Sequence, residues 1–166
     1  KDRGSILTAG SGADAAYWHD PYSNNMISST YYFNELPKWV ENFNKRKVAD
    51  SLLSKSWTTL LPIEKYTEST PDNTPYEGLF DGEKTPTFPH NLPALKDSSS
   101  ELIRQVPMGN TLTTMFAKEI LKNEKLGKGN ETDLLAISYT STDYVGHMFG
   151  INAIELQDTY LRLDIE

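Results

Sequence analysis

The sequence predicts an α/β fold, and three observations carry that prediction. Leu134, Leu135, Ala136 and Ile137 form a short apolar run closed by Thr140, Ser141 and Thr142, the pattern of a strand covered on both faces in a parallel sheet. An amphipathic helix precedes it, with Leu112, Met115, Phe116, Ile120 and Leu121 on the apolar side and Lys118, Lys122 and Lys125 on the wet one. Gly127 and Gly129 separate the two, so helix, turn and buried strand follow one another as in a βαβ unit. Beyond the strand's carboxyl end stand Asp143 and His147, with Gly146 between them to turn the backbone tightly. Loops at that end of an open α/β sheet are where ligands bind. A carboxylate and an imidazole at this spacing can meet one divalent cation. Helix capping and ordinary hydrogen bonding are the competing explanations.

The totals narrow the class. At 166 residues, 37% of them hydrophobic, the chain suits one domain or a large part of one. No apolar stretch approaches the roughly 20 residues that span a bilayer. The chain opens on Lys1 with no signal peptide or initiator Met, as a mature product, a trimmed form or an internal piece would. It has no cysteine, which excludes disulfides and zinc–thiolate sites. A net charge of −7 with interspersed signs and no basic stripe argues against duplex nucleic acid as a partner.

Taken in order, the chain starts charged. If Lys1–Arg3 is extended, Lys1 and Arg3 lie on one side and can clamp a phosphate. A solvated, frayed terminus is the alternative. Ala15–His19 and Met26–Phe33, rich in Tyr, Trp, Ile and Thr, read as a β-hairpin around the turn residues Asp20–Asn25. His19 is placed at a strand end on the surface. A helix from about Leu36 to Arg46 has Pro37 in its first turn and Trp39, Val40 and Phe43 on its apolar face. Its basic end, Lys45–Lys47, suits the helix dipole. Val48–Ser54 reads as a short helix.

Six of the nine prolines fall between Pro62 and Pro93 together with Tyr66, Tyr76, Phe80 and Phe88. That composition predicts an irregular but packed excursion and not a flexible linker. His90 is assigned a surface or loop-packing role. Ser98 and Glu101 resemble a capping box, Asn110 is expected to cap the long helix, and Asn152 with Glu155 a last one carrying a seam of Ala153, Leu156, Tyr160 and Leu163. Asn130-Glu131-Thr132 is a formal glycosylation sequon.

Several of these stretches resemble one family. TDLLAISYTSTDYVGHMFG with the following IELQDTYLRLD, the opening KDRG and ILTAG, then AAYW, MISSTYYFNELPKWV and the GNT at Gly109–Thr111 are similar to the alkaline phosphatase superfamily. The branch is that of the type I phosphodiesterase/nucleotide pyrophosphatases and the zinc-dependent alkaline phosphatases with a threonine nucleophile. The resemblance covers both ends and is thin across Pro62–Pro93. It implies an α/β/α sandwich with an inserted cap: residues 1–14 a core segment with the phosphate clamp, 15–109 the cap region, and 110–166 a core helix, strand, metal loop and helix.

The implied chemistry is hydrolysis of small phosphate monoesters at two zinc ions. Asp143 and His147 would ligate one zinc, and Lys1 and Arg3 would bind the non-bridging phosphate oxygens. The family's nucleophile, its aspartate ligand, its Asp-His pair and a further His have no counterpart in this sequence. An internal piece, inactive alone and binding zinc weakly, is therefore expected, from a periplasmic or secreted enzyme. Exposed core faces of its flanking helices would offer a route to dimerisation. The alternatives are a phosphodiesterase or nucleotide pyrophosphatase of the same superfamily, and a binding module whose aromatic hairpin and Pro-rich segment form a ligand platform.

Overall fold

The computed structural model describes all of residues 1–166. They form an α/β structure in which a small antiparallel sheet accompanies several helices. The chain divides into two compact units, Lys1–Val48 with Leu112–Ser138, and Ala49–Thr111 with Tyr139–Glu166.

In the first unit, α1 (Asp2–Ala9) stands where the sequence left an extended or a frayed terminus open. Lys1 is its N-cap, Asp2 lies in its first turn facing the positive helix pole, and Gly10 at φ 62° ends it. The hairpin forms as expected but shorter, with β1 (Trp18–Asp20) and β2 (Asn25–Ile27) paired antiparallel and His19 opposite Met26. Asp20 closes the turn by accepting from Ser23 N at 2.9 Å and Ser23 Oγ at 2.6 Å, bonds that hold its carboxyl below the usual range. His19 is buried and meets Asn24 Oδ1 at 2.8 Å, so its expected surface position is corrected.

Helix α2 (Lys38–Lys45) buries Val40 and Phe43. Its Asn44 amide doubles as a clip on β2, accepting from Met26 N at 2.8 Å and donating to Met26 O at 2.9 Å. Tyr17, Phe33, Trp39, Phe43 and Phe116 stack into one aromatic cluster with ring centres 5.1–5.6 Å apart. Arg46 has a partner besides the helix dipole, since it pairs with Glu119 at 2.8 Å.

The buried strand is the main correction. Leu134–Ile137 is neither strand nor helix; Leu134 is 90% and Ile137 42% exposed. A strand needs a neighbour for its backbone N–H and C=O groups, and the sheet holds only β1 and β2.

The second unit contains α3 (Val48–Leu52) from Ala49 onward, α4 (Leu92–Leu95), the first residues of α5 (Met108–Asn123), α6 (Ser141–Phe149) and α7 (Ile154–Ile165). Short 3-10 turns stand at Ile63–Lys65 and Leu102–Gln105. The proline-rich stretch packs through Tyr66, Phe80 and His90, which are buried, while Tyr76 is exposed against expectation. Trp57 and His90 share a backbone bridge, and Trp57, Phe80, Phe88, His90 and Phe149 contact one another edge to face or tilted.

Three caps move. Helix α5 begins at Met108, so Asn110 is inside it and buried. Glu101 stands at the N-cap position of its 3-10 turn without a side-chain capping bond, its carboxylate instead accepting from Arg104 at 3.0 Å, so no capping box forms. Helix α7 has Ala153 at its N-cap with no side-chain bond, and Glu155 is buried elsewhere.

Gly109 packs against α6 so closely that an added Cβ would run into Ser141 Oγ and the Ile103 carbonyl. Gly109→Ala is therefore expected to lose about 1–3 kcal/mol of stability, because a backbone carbonyl yields little. Thermal unfolding checks this, and an unchanged midpoint would mean that the junction is slack.

Candidate functional site

The sequence-predicted site residues fall in both units, Lys1 and Arg3 in the first, Asp143 and His147 in the second. Arg3 is exposed in the first turn of α1. Asp143 and His147 do not sit in a loop after a strand. Both ride on α6, and one helical turn brings them to the same face, which is why the spacing works. Gly146 is helical, with its Cα side toward Leu156, so no tight turn is involved.

His147 Nε2 lies 3.4 Å from Asp143 Oδ1, with the side chains 80% and 57% exposed. Two ligand atoms about 2.0–2.1 Å from one tetrahedral zinc would stand roughly 3.3 Å apart. The pair therefore fits a zinc ion in donor chemistry and in spacing. No group of three or more His, Asp or Glu side chains is arranged around one ion position. No helix is long and apolar enough to cross a membrane.

Two buried polar centres escaped the sequence reading. His90, fully buried, places Nδ1 2.9 Å from Glu83 Oε1 and Nε2 3.3 Å from Glu155 Oε1. Burial pulls the imidazole pKa down, but hydrogen bonds to Glu155 and Glu83 and their charges outweigh it and lift the value to about 9. Nearby, burial and then the Glu155 charge push Asp72 up to about 6.

The second centre is Asp158, also fully buried. Its carboxylate accepts from Trp57 Nε1 at 2.7 Å, Leu60 N at 2.6 Å, Tyr66 OH at 2.5 Å and Arg162 Nε at 2.6 Å. The signal for both centres was on α7. Glu155, Asp158, Thr159 and Arg162 recur at helical spacing, and the first three are fully buried. Tyr160 of the expected apolar seam is instead exposed.

The fold, over nearly the whole chain, is shared with a solved alkaline phosphatase. The crystal structure of wild-type alkaline phosphatase PafA matches 99% of this chain and 32% of its own, with a TM-score of 0.96 and 49% identity. The chain belongs to the type I phosphodiesterase/nucleotide pyrophosphatase family, whose sequence pattern matches residues 6–166. A Myroides odoratus protein named a calcium-transporting ATPase is 55% identical over 167 residues. Alkaline phosphatase PhoV of Synechococcus elongatus is 49% identical over 164 residues, and alkaline phosphatase PafA of Elizabethkingia meningoseptica 49% over 165. Each alignment covers 99% of this chain and 30% of the relative. The chain thus spans under a third of the length of these relatives.

Proposed function

We propose that this chain is part of a metal-dependent hydrolase of phosphate monoesters. The supporting observation is the exposed Asp143–His147 pair at 3.4 Å on one face of α6, in a chain 49% identical to two alkaline phosphatases. Asp143 and His147 would hold one zinc ion; bound zinc supplies charge stabilisation to the oxygens of a phosphate undergoing displacement. The nucleophile and remaining ligands are assigned to the part of the relatives that this chain does not match. The intact enzyme would be an α/β/α sandwich with residues 15–109 as its cap, in a periplasmic or secreted location.

Lys1 and Arg3 are assigned to the phosphate. Both stand at the amino end of α1, where the positive helix pole adds to their charge, and Asp2 between them subtracts from it. Arg offers a planar fork and Lys a point charge. A monoester carries one more negative charge than a diester, so two cations favour it.

In the full-length protein, Lys1→Ala with Arg3→Ala is expected to lower kcat/KM for a phosphate monoester roughly 10²–10⁴-fold, as two charge-assisted hydrogen bonds would. A diester should lose far less. Equal losses would support the phosphodiesterase alternative. A second reading, calcium-linked ATP hydrolysis, comes with the name of the Myroides odoratus relative. ATP turnover that requires calcium, with no turnover of simple monoesters, would favour it.

A further inference from the structure

The α6 helix carries its two candidate ligands on an exposed face, yet Thr140 at its N-cap makes no side-chain capping bond. Its first turn is seated from the other side. Ser141 and Thr142 are buried, and the Asn110 amide, also buried, donates Nδ2 to Thr142 Oγ1 at 3.1 Å. Asn110 Oδ1 accepts no hydrogen bond, so the amide's directed contact is with the residue immediately before Asp143. Gly109 adds the close approach to Ser141 described above. Two consecutive residues of α5 thus seat two consecutive residues of α6.

Local propensity does not explain this asparagine. Asn is a mediocre helix former, and a buried amide with an unfilled acceptor costs stability. What the arrangement does is orient the turn that presents Asp143.

We propose that Asn110 and Thr142 are positioning residues for the Asp143–His147 metal pair, setting where the carboxylate stands relative to the imidazole one turn on. This rests on the zinc reading of that pair. Groups that orient ligands without touching the ion commonly change metal affinity 10–100-fold.

The test is titration of the metal-free full-length protein with zinc against a chromogenic chelator, with cobalt absorption spectra and thermal unfolding alongside. Asp143→Ala identifies the zinc equivalent that belongs to the pair. Thr142→Val, which keeps shape but removes the acceptor, and Asn110→Ala should each weaken that equivalent by about 10–100-fold and change the cobalt spectrum. Thr142→Ser should restore it. Leu102→Ala, which removes buried apolar support from the 3-10 turn packed on α6, should lower the melting temperature while leaving zinc affinity alone.

Parent-like zinc binding by Thr142→Val, or an equal loss in Leu102→Ala, would overturn the positioning role while Asp143→Ala still loses its equivalent. Unchanged zinc binding in Asp143→Ala would remove the metal site itself, and this inference with it.

Discussion

Replacing Asp158 by alanine is expected to lower the unfolding free energy by about 3–5 kcal/mol, the loss typical of breaking a buried ion pair by removing one partner. The cause is what remains behind. Trp57 Nε1, Leu60 N, Tyr66 OH and Arg162 Nε all donate to this carboxylate, and no other acceptor replaces it when the side chain stops at Cβ. Arg162 keeps one anchor through its bond to Thr58 O at 2.6 Å. Tyr66 is held as a donor, because burial and then its hydrogen bond to Asp158 push the phenol up to about 12.

Asp158→Asn should lose most of the same stability. It keeps the volume but turns an N–H₂ toward groups that can only donate or that carry positive charge. Urea denaturation measures both variants. A loss below about 1 kcal/mol for Asp158→Ala, the scale of an exposed ion pair, would show that the centre is hydrated and not sealed.

The second large effect is on pH dependence. His90 has a folded pKa of about 9 against an ordinary value of 6.5, so the folded state binds this proton more tightly than the unfolded chain. The resulting stability is complete below pH 6.5, declines as pH rises, and is gone above about pH 9. Its size is about 3 kcal/mol. Asp72 acts in the same direction at lower pH, since burial raises its carboxyl from 3.8 to about 6 and its contribution is lost across that interval.

Unfolding free energies of the parent and of His90→Gln, followed from pH 6 to pH 10, isolate the imidazole. The parent should fall relative to the variant across the window from 6.5 to about 9. Parallel curves would mean that Glu83 and Glu155 do not hold a proton on His90.

Much of the fold could be read locally. The hairpin, α2, α3 and the long helix each follow from patterns within a few residues: turn chemistry at Asp20–Asn25, Pro37 before an apolar face, and the stripe from Leu112 to Ile120. The spacing of Asp143 and His147 is legible in the sequence but their helix is not: Gly146 suggests a tight turn in a loop, whereas Ser141–Phe149 is helical and one turn separates the two residues. At the expected strand the missing term was distant. Leu134–Ile137 has the composition of a strand, but strand formation depends on a hydrogen-bonding neighbour. At Lys1–Arg3 the sequence leaves an extended or a frayed terminus open, and α1 is neither.

By itself, then, the sequence determined the hairpin, α2, α3, the long helix and the family to which the chain belongs, since these depend on residue types at short spacing. Only the tertiary structure decided that His90 is a buried partner of Glu155 across 65 residues, that Asp158 gathers donors from residues up to 101 positions away, and that Asn110 seats α6 instead of capping α5. Burying a charged or polar group is costly unless a complementary group is brought to it. Which residue arrives is settled by how the whole chain packs, and no pattern within a few residues records it.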